Sequence, residues 1–142
     1  LIRWPLGIPS ELVVELARGK RRKGLGAMLR QKQRINRVLD ELLNFALEKQ
    51  PRKVTITIED VDDQVKITVE DEGAQVSERE CQEAQAMLNA PHRNELSHYY
   101  GGLAGEESFG TRSLRLLRLL VDGGTVELCG PGRRLSVWWE QE

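Results

Sequence analysis

The stretch that most constrains this chain is an alternating run that ends on an acidic residue and a glycine. Over residues 65–73 it reads Val-Lys-Ile-Thr-Val-Glu-Asp-Glu-Gly. Val65, Ile67 and Val69 fall on one face and Lys66, Thr68 and Glu70 on the other, as a half-buried strand requires. Asp71 comes where the strand ends. Gly73 permits the sharp turn and close backbone approach that a Cβ would resist. A carboxylate held there is placed to accept a hydrogen bond from a ligand. The plainer reading is a strand closing in an acidic turn.

The chain has 142 residues, enough for one domain with a proper core. A formal net charge of −1 gives no global pull toward nucleic acid or an anionic membrane. No apolar run approaches the length of a membrane span. The first residues carry no secretory-signal pattern, and a start at Leu1 rather than Met is that of a fragment or a processed chain. Cys81 and Cys129 have no metal-ligand spacing, so reduced cytoplasmic thiols are the simplest expectation. With only His92 and His98 present, a His-rich metal site is not expected.

Leu1-Ile2-Arg3-Trp4 reads as a short edge strand stopped by Pro5. Ser10 followed by Glu11–Leu16 reads as the capped start of a helix ended by Gly19. Lys20-Arg21-Arg22-Lys23 reads as a solvated basic turn. Without interleaved aromatics it makes no stacking platform for nucleic acid. Leu25–Glu48 is the main helix, with Ile35, Val38, Leu39, Leu42 and Ala46 on one stripe. Glu41, Phe45 and Glu48 lie along one flank of that stripe, and Asp40 and Asn44 nearer the wetter side.

Val54–Ile58 alternates and pairs with Val65–Val69 as a hairpin through Val61-Asp62-Asp63-Gln64. Ser77–Asn89 is a helix with Ser77 as N-cap and Glu80 completing a capping box. His92–Gly110, dense in glycine and lacking apolar periodicity, reads as a long mobile loop, of a kind that is usually functional or disordered, with both histidines in or beside it. A Leu- and Arg-rich helix follows over Thr111–Val121. Two strands, Thr125–Leu128 and Leu135–Trp139, close the chain around Gly130-Pro131-Gly132, with Trp138 and Trp139 on opposite faces. The expected architecture is an α+β two-layer sandwich, a mostly antiparallel sheet with helices on one face. It forms one domain over 1–142, with 1–32 as an N-terminal extension and 33–139 as the core.

This order of motifs resembles the GHKL ATP-binding superfamily of DNA gyrase, the ninety-kilodalton heat-shock chaperone, sensor histidine kinases and MutL. It is nearest to histidine-kinase catalytic domains and anti-sigma-factor serine kinases. The likeness covers roughly Gln33 to Trp139. Val-Leu-Asp-Glu-Leu-Leu-Asn-Phe-Ala-Leu-Glu at 38–48 resembles the first helix motif, and Val-Glu-Asp-Glu-Gly at 69–73 the Asp-x-Gly box. The glycine-rich loop and helix at 101–120 resemble the nucleotide lid and second glycine box. Residues 119–128 resemble the last helix-to-strand passage.

The resemblance implies roles. Asp71 would accept a hydrogen bond from the adenine amino group of ATP, and Gly73 would let the base approach. Gly101, Gly102, Gly105 and Gly110 would close over the phosphates. Backbone N–H groups near Thr111, with Arg112, would meet them at a helix N-terminus. On the first helix two registers stay open. Glu41 takes the acidic catalytic position with Phe45 where the family has its magnesium-binding Asn, or Asp40 takes it with Asn44 as the Mg2+ ligand. Gln75 stands where the Asp-x-Gly box usually has a second glycine, and Gly110-Thr111-Arg112 lacks the alternating glycines of the second box. The implied function is an ATP-binding regulatory or signalling domain that transfers phosphate to a partner protein. The alternative is a degenerate pseudo-ATPase acting as a protein-binding scaffold. A regulatory protein is the implied partner and a homodimer is admitted. No phosphoacceptor histidine sits on a dimerising hairpin in this chain.

Overall fold

A computed structural model describes residues 11–18, 29–91 and 108–141. Eight elements follow in order: β1 (Glu11–Arg18), α1 (Lys32–Leu47), β2 (Lys53–Val61), β3 (Gln64–Glu72), α2 (Glu78–Leu88), α3 (Phe109–Leu120), β4 (Gly123–Cys129) and β5 (Gly132–Glu140). The five strands form one sheet in the order β1-β2-β3-β5-β4, with β1 parallel to β2 and every other pair antiparallel. The α+β expectation of helices over a mostly antiparallel sheet holds.

The alternation read from the sequence is the burial pattern observed. Val54, Ile56 and Ile58 of β2 and Val65, Ile67 and Val69 of β3 are buried under the helices. Leu135, Val137 and Trp139 of β5 join them. From the helix layer come Ile35, Val38, Leu42, Phe45 and Ala46 of α1, and Leu114 and Leu117 of α3. Cys81, Ala84 and Leu88 of α2 and Val126 of β4 complete the core, and each fully buried large aliphatic side chain in it contributes about 1.5–3 kcal/mol. The other face of the sheet is polar. Thr57, Thr68, Ser136 and Thr125 stand directly opposite one another across four strands, with Thr68 Oγ1 and Ser136 Oγ 3.1 Å apart. Trp139 lies in the core and Trp138 on this outer face, half-buried beside Gly123, as their opposite parity requires.

Residues 11–16 correct the sequence reading. They form not a capped helix but the parallel edge strand β1, with Val14 opposite Ile56. Val13 and Val14 are β-branched, and β2 offers a row of backbone groups that a parallel partner satisfies along its length. That tertiary pairing outweighs a weak local helix signal. A segment read as part of an N-terminal extension thus contributes a strand to the sheet. The edge strand expected at Leu1–Trp4, the proposed cap Ser10 and the basic run Lys20–Lys23 lie outside the described residues. So do His92, His98 and most of the glycine-rich loop.

Local chemistry sets the connections. Asp62 and Asp63, both at positive φ (48° and 65°), make the two-residue turn between β2 and β3, whose twist matches that of the strands. Ser77 caps α2 by accepting from the Glu80 N–H. At its far end α2 guards the edge strand β4. Asn89 Nδ2 donates to Gly124 O (2.8 Å), Gly124 N donates to Asn89 Oδ1 (3.2 Å), and Val126 N donates to Gln85 Oε1 (3.0 Å). Side chains thereby occupy backbone groups that would otherwise template another strand. Cys81 is a buried free thiol and Cys129 a half-buried one. No helix among the described residues is long and apolar enough to cross a membrane.

Candidate functional site

Asp71 and Arg133 are paired opposite one another on β3 and β5, both facing the helix layer. Arg133 Nε donates to Asp71 Oδ2 at 2.7 Å, and the Arg133 backbone N–H donates to Asp71 Oδ1 at 3.2 Å. The two side chains are only 4% and 2% exposed. Arg133 Nη2 donates to the Phe45 carbonyl (3.1 Å), and the guanidinium lies 4.1 Å over the Phe45 ring centroid. A planar cation on an aromatic face, with two hydrogen bonds from its guanidinium and a carboxylate partner, is a well-compensated buried charge.

Two glycines make this possible. A Cβ at Gly132 would fall 1.6 Å from the Asp71 carbonyl oxygen, so only glycine lets β5 come this close to the end of β3. Gly73, at φ 88°, turns the chain just after Asp71 and donates to Pro131 O at 3.2 Å. The Arg52 side chain lies over it, within 2.7 Å of where a Cβ would stand.

Beside this pair, a cleft of about 220 Å³ opens between α1, α2 and the start of α3. Phe45, Lys49, Glu80, Met87, Thr111 and Arg133 contribute to its walls. It is smaller than the ~300–1,000 Å³ usual for a ligand site. The first turn of α3 ends on it. Ser108 caps α3 and accepts from the Thr111 N–H at 3.1 Å. The Glu48 carboxylate accepts from the Gly110 N–H, and a Cβ at Gly110 would come within 2.9 Å of it. A helix N-terminus is electropositive, and here a carboxylate of the same chain already sits on it. Across the cleft Lys49 Nζ lies 2.8 Å from Glu80 Oε2, and that hydrogen bond holds the Glu80 carboxyl below its usual range.

The residues singled out from the sequence do not all come together. Gly110 and Thr111 reach the cleft, as does Phe45, while Asp71 is covered by Arg133. Glu41, Asn44 and Arg112 meet instead in a separate recess of about 240 Å³ with Ser113 and Leu116, which shares no residue with the first. Asp40 is exposed on α1. Gly101, Gly102 and Gly105 lie outside the described residues. Sequence reasoning missed Arg133 and Glu48. Glu48 had been placed on the same flank as Glu41 and Phe45. Arg133 follows Gly132 on a strand that pairs with β3, and only the register between those strands identifies it.

Mg2+ takes six oxygen ligands in near-octahedral geometry. A magnesium ion at Asn44 would meet the Asn44 amide oxygen and one neighbouring carboxylate, Glu41, with its remaining ligands left to water and phosphate. The Arg112 guanidinium shares the recess. Among the described residues no three His, Cys, Asp or Glu side chains gather to hold a metal. The α1 position that faces the cleft carries the Phe45 ring.

Residues 30–142 match the family model described as histidine kinase-, DNA gyrase B- and HSP90-like ATPase. No curated protein matches the sequence. Among solved structures, a nucleotide-free form of the catalytic domain of histidine kinase ThkA is similar at 15% identity and a TM-score of 0.54, over 92% of this chain and 79% of that one. A second nucleotide-free form of the same domain gives 15% identity and a TM-score of 0.53, over 92% and 80%. At that identity the likeness speaks for the fold alone.

Proposed function

Since the chain belongs to the histidine kinase-, DNA gyrase B- and HSP90-like ATPase family, we propose that it acts as an ATP-binding regulatory domain that takes adenine nucleotide without magnesium-dependent phosphoryl transfer. Membership implies ATP binding. The cleft between α1, α2 and α3 runs from Arg133, which covers Asp71, to a helix N-terminus, and a carboxylate and a helix N-terminus are the two features a base and a phosphate chain need. The observation that carries the rest is Phe45. Its ring faces this cleft, while the amide of Asn44 and the carboxylate of Glu41 open onto another recess beside Arg112. Phosphoryl transfer relies on positioning and on cations that neutralise developing charge. Phe45 offers no metal ligand at the α1 position facing the cleft, so α1 does not supply that neutralisation there.

A regulatory domain of this kind signals through a partner protein, and a cytoplasmic setting and a homodimer are compatible with that role. A second reading is supported by the Asp71–Arg133 pair, which occupies the carboxylate a base would use. In that reading the sandwich is a protein-binding scaffold without nucleotide.

Calorimetric titration with ATP, with and without magnesium, tests both. The expected result is binding that is lost in Asp71→Asn and is indifferent to magnesium. Binding strengthened by magnesium, or ATP turnover, would overturn the metal-free reading. No binding at all would favour the scaffold.

A further inference from the structure

The groups a nucleotide would use are already bonded within the chain. Asp71 accepts from Arg133 through both carboxylate oxygens. The Gly110 N–H is taken by Glu48 and the Thr111 N–H by Ser108. The Arg133 guanidinium is planar and stacks on Phe45 while donating to Asp71, as the amino edge of a base would. The Glu48 carboxylate stands on the α3 N-terminus, as a phosphate oxygen would. We propose that Arg133 and Glu48 are internal ligands that occupy the base and phosphate positions of the cleft, so that adenine nucleotide enters only by displacing both.

This inference rests on the nucleotide reading above and specifies how that site is regulated. Both groups sit on long side chains, so displacement needs new rotamers rather than a new fold. The ion pair is buried, and breaking it exposes two charges that only a ligand or water can satisfy. Glu48 also sets a negative charge against an incoming polyphosphate. Apparent affinity is therefore the intrinsic affinity reduced by the fraction of open molecules. A partner that draws either side chain away would raise nucleotide affinity without touching the nucleotide.

The test is calorimetric titration of ATP and of adenosine, in EDTA, into the wild type, Arg133→Ser and Glu48→Gln, each checked for folding by near-ultraviolet circular dichroism. Arg133→Ser should tighten both ligands by about tenfold or more, as expected if open molecules are a tenth of the population or fewer. Glu48→Gln should tighten ATP and leave adenosine unchanged, because only ATP carries phosphate. Wild-type binding that a folded Arg133→Ser does not improve would overturn the internal-ligand proposal and leave the nucleotide reading standing. Equal effects of Glu48→Gln on the two ligands would do the same. Folded variants that bind neither ligand would end both. If Arg133→Ser does not fold, the ATP-to-adenosine ratio of Glu48→Gln decides.

Discussion

Arg133 and Asp71, 62 residues apart in sequence, face each other across β5 and β3 with Nε 2.7 Å from Oδ2, and almost no solvent reaches either. The pair stands where the sheet, the Phe45 ring and the cleft meet. Its energetics are asymmetric. Removing one partner leaves an uncompensated buried charge, whereas removing both need not.

Arg133→Met alone should lower stability by about 3–5 kcal/mol, and Asp71→Leu alone by a similar amount. The double variant should recover most of that loss. Urea unfolding of the four proteins forms a double-mutant cycle, and purely additive losses would mean that the pair is not coupled.

Gly132→Ala places a methyl group 1.6 Å from the Asp71 carbonyl oxygen. The strands must part at that point, with an expected loss above about 3 kcal/mol from backbone strain and a broken site. Gly130→Ala has open space and only its φ of 56° against it, so about 1–2 kcal/mol is expected. Thermal melts of the two variants should rank in that order.

Asn89→Ala removes two hydrogen bonds to Gly124 at once and uncovers part of the β4 edge. A loss of about 1–3 kcal/mol is expected from the backbone groups left unpaired. A greater tendency to self-associate should accompany it, read by light scattering as concentration rises. A melt unchanged from the wild type would show that water replaces the amide.

Cys81 gives a pH dependence of definite sign. Burial pushes its thiol up, Asp71, Glu80 and Glu78 add to the rise, and the Arg133 charge opposes it. Below the ordinary thiol range of about 8.5 both folded and unfolded chains keep the proton, so the contribution is complete there. As pH rises through that range the unfolded chain loses its proton first, and stability falls. Urea midpoints should therefore drop more steeply between about pH 8 and pH 10 in the wild type than in Cys81→Ala. Alkylation of the native protein should reach Cys129 before Cys81, and the reverse order would contradict the burial argument.

Much of the architecture was legible because it is written in local periods. The period-two runs at 54–58 and 65–69 became β2 and β3, and the Ile35–Ala46 stripe became the buried face of α1. Ser77 capped the helix it was expected to cap. The strand at 11–18 was not legible, because its pattern suits either state and the free edge of β2 decided between them. On α1, flank geometry had set Glu41 beside Phe45 and Asn44 toward solvent. The structure puts Phe45 in the cleft and gathers Glu41 with Asn44 in another recess. Helical spacing gives the angle of a residue but not what the neighbouring helix leaves open.

The sequence by itself determined the elements from α1 onward, their order, the two-layer sandwich and the carboxylate at the end of β3, since each follows from spacing within a few residues. Only the tertiary structure decided what that carboxylate meets. The register of β5 against β3 carries Arg133 to Asp71 from far along the chain, and the packing of α1 against α3 brings Glu48 to the Gly110 N–H. Contacts of that kind arise from strand register and helix packing, which no local pattern encodes.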